Sequence, residues 1–169
     1  MHESQEGGPK VDFVVAGVQK GGTQALHHFL SQHPEIGLVS SPKIAPHFFD
    51  LDKYFDGTPD YDQYHSWFSA DSLARVTGDI TPIYSYWQPS IERIKAYNPK
   101  MKVIMLLRNP VDRAHSQWNM EFSRADETLP FWRAILMEPF RRRFGQHRIY
   151  SYLHRGFYGE QIERVLAHF

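Results

Sequence analysis

From Val11 to Val18 the chain reads Val-Asp-Phe-Val-Val-Ala-Gly-Val, β-branched and mostly apolar, as a strand covered on both faces should be. A glycine-bearing turn follows, Gln19-Lys20-Gly21-Gly22-Thr23. Over 24–32 the apolar Ala25, Leu26, Phe29 and Leu30 fall at helical spacing, and His33-Pro34 ends the run. Ile36 to Val39 predicts a short second strand, and Ser40 to Pro46 a loop. Residues 48–70, rich in Tyr, Phe, Asp and Gly, predict short helices or a surface excursion over a sheet. Ala74 to Ile80 predicts a weak strand closed by Thr81-Pro82, and Gln88 to Asn98 a helix with Pro89 in its first turn. The strongest strand signal is Lys102 to Leu107, which reads as buried. Asn109 and Pro110 then suit the N-cap and first position of a helix running toward Arg124. Helices around Leu129–Met137 and Tyr158–His168 complete the pass.

Strands alternating with helices predict the α/β class, a three-layer fold with a central parallel sheet flanked by helices. Residues 1–10 read as a flexible N-terminus and 11–169 as one domain. In such sheets ligands sit beyond the carboxyl ends of the strands. Two strand-to-helix junctions at those ends carry distinctive side chains.

The first is Gly17-Val18-Gln19-Lys20-Gly21-Gly22-Thr23. Glycines let backbone approach a phosphate, and the following helix start offers unpaired N–H groups and the positive end of a dipole. Lys20 adds a point charge and Thr23 a hydroxyl. This is P-loop-like, but the lysine precedes the glycine pair, so the Gly-Lys-Ser/Thr ending of a nucleoside-triphosphate loop is missing. The second junction is Leu107-Arg108-Asn109-Pro110, with Ser116 eight residues after Arg108, about two helical turns along. An arginine fork plus a hydroxyl suits a second phosphate. Alone, an arginine there is as well explained as a cap or salt-bridge residue.

Composition narrows the classes. At 169 residues, 41% hydrophobic and 22% charged, the chain excludes intrinsic disorder and low-complexity scaffolds. Its formal net charge of zero argues against nucleic acid as a partner. The lack of cysteine removes disulfide frameworks, thiolate zinc sites and cysteine nucleophiles. No apolar run approaches the roughly 18 residues that would span a bilayer, and Met1 to Lys10 has no signal-peptide core, so a cytoplasmic location is expected. The net zero conceals an asymmetry. Residues 1–80 hold 5 Lys and Arg against 11 Asp and Glu, a net of −6, whereas residues 81–169 hold 14 against 8, a net of +6. Either the two halves attract each other or the second half helps hold an anion. The ten histidines show no metal-ligand spacing, and no metal is expected. Arg141-Arg142-Arg143, with Arg148 and Arg155, fits a solvated helix face better than a polyanion site. Trp67, Trp87, Trp118 and Trp132 are expected in the core rather than stacked on sugars.

Two phosphate sites on one sheet, one with a lysine upstream of paired glycines, make the sequence resemble the sulfotransferases that use 3′-phosphoadenosine 5′-phosphosulfate, especially the heparan-sulfate-type and bacterial members. The resemblance runs from about Val11 to Phe169. It implies that Lys20, Gly21, Gly22, Thr23, Gln24 and Ala25 bind the 5′-phosphosulfate and that Arg108 and Ser116 contact the 3′-phosphate. Pro46-His47-Phe48-Phe49-Asp50 resembles the loop ahead of the acceptor site, Thr81-Pro82-Ile83-Tyr84 the Thr-Pro-x-Tyr segment, and Gly156-Phe157-Tyr158 a later helix start. The implied reaction moves a sulfuryl group to a hydroxyl or amine of a small-molecule or carbohydrate acceptor, leaving adenosine 3′,5′-bisphosphate. Lys20 would stabilise the leaving phosphate.

The sequence departs from the family pattern in three places. The relatives' base is a glutamate two residues before His-Phe-Phe; Ala45 and Ile44 stand there, and neither accepts a proton. Ile80 occupies a position where many relatives carry lysine. The chain also ends at the close of a helix where the family enters another strand, which implies that a C-terminal part is lacking. Three explanations stay open for the base: an inactive variant, a relocated base with His47 or Asp79 as candidates, or a shifted alignment in which Lys43 serves. His47 is the base we select, with Lys20 as the other catalytic residue. The alternatives to a sulfotransferase are an inactive nucleotide-binding domain and a P-loop small-molecule kinase.

Overall fold

The four strands β1 (Phe13–Gly17), β2 (Ile36–Leu38), β3 (Val76–Ile80) and β4 (Lys102–Met105) form one sheet in the order β2-β3-β1-β4, with every pairing parallel. The computed structural model describes residues 10–39, 45–68 and 74–169. Six helices join the strands: α1 (Thr23–Leu30), α2 (Tyr61–His65), α3 (Gln88–Tyr97), α4 (Pro110–Ser123), α5 (Phe131–Arg143) and α6 (Tyr158–His168).

β1 is central and buried along its whole length, so its side chains fill both faces of the sheet in alternation. Val14 and Ala16 face a large cluster with Phe48, Phe49, Tyr64, Ile91 and Ile94 of the 48–64 segment and α3, joined by Val165 of α6. Phe13 and Val15 face the opposite way, with Ile80, and meet Leu26 and Leu30 of α1. This is the expected three-layer α/β arrangement with a parallel sheet between helices. A third cluster of Ala114, Ala134 and Tyr152, with Trp118 against it, joins α4 to α5.

The expected elements are present with small changes at their ends. Residues 48–70 contribute a 3-10 turn at Asp52–Tyr54 and the short α2. Asn109 is the N-cap of α4, its side chain accepting from the N–H of Val111 at 2.9 Å. The fifth helix runs to Arg143, past Met137 and through Pro139. One expectation is corrected. The run Lys102–Leu107 is not a strand buried on both faces: β4 lies at the sheet edge, with Ile104 38% exposed and Lys102 exposed. Its apolar composition resembles a central strand, and only the strand order leaves one side open. Trp132 is also an exception, exposed on α5.

The proposed flexible N-terminus lies outside the described residues except for Lys10, whose Nζ donates to the Tyr97 backbone oxygen at 3.0 Å. Lys43 and Ile44 lie outside them as well. No described helix is long and apolar enough to cross a membrane.

Candidate functional site

The turn after β1 is stitched to the end of β4. Val18 N–H donates to Leu106 O at 3.0 Å, Leu106 N–H to Gly17 O at 2.9 Å, and Gly21 N–H to Val18 O at 2.8 Å. A Cβ on Gly21 would lie 2.4 Å from Leu106 O, so only glycine fits under this crossing. Gly22, at φ 102°, sits in the left-handed region that favours glycine and forms the N-cap of α1. No side chain caps that end. The first-turn amides of α1 therefore remain available to an anion.

Lys20, itself at φ 68°, directs its Nζ toward α4, 3.7 Å from Met120 Sδ. A cleft of about 880 Å³ opens beyond these strand ends and is lined by Gln19, Lys20, Gly22, Thr23 and Gln24 from the first junction and by Arg108 and Ser116 from the second. The two junctions thus meet in one cavity. Arg108 Nη1 donates to Lys20 O at 3.2 Å, and Tyr158 OH donates to Arg108 O at 2.9 Å. Gly21 and Ala25 do not line the cleft: Gly21 packs beneath the turn, and Ala25 is exposed on α1.

The cleft also contains the loop before α2. Ala45, Pro46 and His47 line it, together with Lys53 and Tyr54. His47 Nδ1 lies 3.1 Å from both carboxylate oxygens of Asp50. Asp50 is 2% exposed, and Arg148 holds it from the other side, donating to its backbone oxygen at 3.2 Å and to its carboxylate. Against a carboxylate, Nδ1 is the ring nitrogen that carries the N–H and donates it.

Beneath this loop lies Asp79, fully buried and absent from the cleft lining. Thr81 Oγ1 donates to it at 2.6 Å, Tyr84 OH at 2.8 Å and Tyr64 OH at 2.9 Å. Burial pushes its carboxyl up to about 6, against the pull of these hydroxyls. Tyr84 OH in turn accepts from the Phe48 N–H at 3.2 Å. Thr81-Pro82-Ile83-Tyr84 therefore supplies two hydroxyls that grip Asp79, and one of these, Tyr84 OH, also seats the His47 loop. Asp79 is a buried anchor and does not face the cleft as a base would. Ile80 is 3% exposed and belongs to the apolar cluster against α1, so the departure at that position is a core residue.

The far wall was not legible in the sequence. It comprises Met120, Glu121, Arg124, Asp126, His147, Arg148 and Arg155. Arg148 and Arg155 are not on a solvated helix face as expected: Arg155 is 4% exposed and Arg148 reaches inward to Asp50. Among the described residues, six Lys and Arg line the cleft (Lys20, Lys53, Arg108, Arg124, Arg148, Arg155) against two acids, Glu121 and Asp126. Four of the six come from the basic second half. Burial raises the Glu121 carboxyl, opposed chiefly by Arg124. Among the described residues no cluster of His, Asp and Glu could hold a metal ion.

Residues 10–167 match the family model described as the sulfotransferase domain. The chain belongs to that family. Mouse heparan sulfate glucosamine 3-O-sulfotransferase 6 is 32% identical over 161 residues, covering 92% of this chain and 43% of that protein. The cattle bifunctional heparan sulfate N-deacetylase/N-sulfotransferase 2 is 30% identical over 169 residues, covering 93% of this chain and 18% of that protein. The chain thus spans less than half the length of these curated relatives. The crystal structure of a sulfotransferase from Alicyclobacillus acidocaldarius superposes with a TM-score of 0.84 at 29% identity, covering 96% of this chain and 70% of that one. Membership of this family accords with the P-loop-like fold around the central parallel sheet.

Proposed function

We propose that this sulfotransferase domain transfers a sulfuryl group from 3′-phosphoadenosine 5′-phosphosulfate to a hydroxyl or amine of a carbohydrate acceptor. One observation carries the reading: Lys20 with the uncapped start of α1, and Arg108 with Ser116, line a single cleft, and we read them as two anion positions. A donor bearing phosphate groups at both 3′ and 5′ fits that pair. The donor set is oxygen-seeking cations, hydroxyls and amides, as phosphate and sulfate recognition requires.

When bound, the donor supplies a sulfuryl group already activated by a phosphate leaving group. Gly22, Thr23 and Gln24 present their amides at the start of α1, and Lys20 adds a cation where charge gathers on the leaving oxygen. Arg108 and Ser116 bind the 3′-phosphate and fix the direction of the donor. His47, its Nδ1 held by Asp50, accepts the acceptor's proton at Nε2 as the new sulfur–oxygen or sulfur–nitrogen bond forms. The cationic wall from Lys53 to Arg148 favours an acceptor with anionic groups, in keeping with relatives named for heparan sulfate.

One observation favours a second reading, a domain that binds the nucleotide without turnover: the Ala45 methyl lines the cleft where the family keeps a carboxylate. No observation favours the kinase. Incubation with the sulfuryl donor and a glucosamine-containing polysaccharide separates the two remaining readings. Release of adenosine 3′,5′-bisphosphate that depends on the polysaccharide supports the transferase, and nucleotide binding without release supports the second.

A further inference from the structure

Several arginines of this domain are paired with carboxylates: Arg141 with Glu127, Arg148 with Asp50, and Arg93 with Asp52. Arg155 has no such pair. It is 4% exposed, it lines the cleft, and among the described residues no carboxylate lies within ion-pair distance of it. Its partners are neutral: Nη1 donates to the Gln19 side-chain oxygen, Nη2 to the Arg148 backbone oxygen at 2.7 Å, and Nε has no partner at all. The face of Tyr86 lies 5.1 Å from its guanidinium carbon.

A buried cation without a counter-charge is costly. Burial lowers the Arg155 guanidinium to about 10; Arg113 and Arg148 push it the same way, and Tyr86 and Glu121 oppose them. Arg113 is also buried on neutral acceptors with its Nε unpartnered, but unlike Arg155 it does not line the cleft. Among the described residues Arg155 therefore has no carboxylate in contact with it, and the cleft it lines is where an anion can enter. Its place is fixed by Gln19, the residue that precedes Lys20 in the turn.

We propose that Arg155 is the second cation on the donor's 5′ end, sharing with Lys20 the oxyanion bound at the Gln19–Lys20 turn. The inference rests on the reading above and extends it by one binding residue. Arg155 stands just before Gly156-Phe157-Tyr158 and reaches the turn from a segment some 135 residues further along the chain, so no local motif announces it. The guanidinium fork suits a tetrahedral oxyanion, and its burial among neutral acceptors preorganises it for one.

The test is calorimetric titration with adenosine 3′,5′-bisphosphate and with adenosine 3′-monophosphate, which lacks the 5′-phosphate. Arg155→Gln is expected to weaken the bisphosphate about ten- to a hundredfold while moving the 3′-monophosphate less than about twofold. Arg155→Lys keeps the charge but loses the fork, and is expected to show a smaller loss, about three- to tenfold, again confined to the bisphosphate. This variant carries the test should the Gln variant fail to fold. An equal loss for both nucleotides, or no loss, in a variant that melts as the unsubstituted chain does, overturns the role of Arg155 and leaves the transferase reading standing. An unsubstituted chain that binds neither nucleotide overturns both.

Discussion

Arg108 Nη1 donates to the Lys20 backbone oxygen at 3.2 Å, joining two turns that stand 88 residues apart. The bond ties the lysine-bearing loop to the arginine-bearing one. On the proposed reading, it sets the two anion positions at a fixed spacing and predicts selectivity for a doubly phosphorylated adenosine. Arg108→Ala is expected to weaken adenosine 3′,5′-bisphosphate by about ten- to a hundredfold, the range of a charge-assisted hydrogen bond, and adenosine 5′-monophosphate far less. Equal losses in paired calorimetric titrations would show that Arg108 does not read the 3′-phosphate.

Lys20 is half-buried, and among the described residues its Nζ makes a side-chain contact with the Met120 thioether and acts on the Glu121 carboxylate at longer range. Lys20 makes no ion pair among the described residues, and Glu121 keeps the nearby charges of Arg124 and Arg155, so Lys20→Ala is expected to keep its melting temperature within a few degrees. Transfer from the sulfuryl donor should fall by about a hundredfold or more, the scale seen when a preorganised charge-stabilising donor is lost. Unchanged turnover in a folded variant would remove Lys20 from the chemistry.

The base is tested by loss and rescue. His47→Ala is expected to lower kcat by about two to four orders of magnitude with little change in nucleotide affinity. Placing Ala45→Glu in that background puts a carboxylate into the same cleft and is expected to restore part of the rate. If His47→Ala turns over like the unsubstituted chain, another group takes the proton.

Asp79 links stability to pH. Its carboxyl sits at about 6 in the fold against 3.8 for the ordinary side chain, so the folded state favours the protonated form. The stability this adds is complete below about pH 4 and is lost as pH rises through about 6. A gap of about two pH units corresponds to something on the order of 3 kcal/mol. Asp79→Asn, which does not titrate, should flatten this part of the profile, as read by urea unfolding at pH 4, 5, 6 and 7. Parallel profiles for both proteins would contradict the placement of Asp79 beneath Tyr64 and Tyr84.

Local pattern carried much of the fold. The β-branched run around Val14, the Asn109-Pro110 helix start and the span of α6 follow from residues that act on their near neighbours, and all three appear at or near the expected places. The edge position of β4 did not, because an apolar run does not state which strand it lies beside. At the site, the glycine turn and the Arg108–Ser116 spacing were readable as short motifs. The Arg148–Asp50–His47 chain and the burial of Arg155 depend on contacts 98 and 136 residues apart, and sequence spacing holds no trace of them. Asp79 was a plausible base by residue type alone; three hydroxyls and complete burial assign it to the support of the loop instead.

The central claim is that one cleft holds both phosphate groups of the nucleotide. Calorimetric titration with adenosine 3′,5′-bisphosphate, with ADP as the control, tests it most directly. ADP offers comparable negative charge but no 3′-phosphate for Arg108 and Ser116. Binding of the bisphosphate at least about tenfold tighter than ADP is the predicted result. Equal affinity for the two nucleotides, or binding of neither, would contradict it.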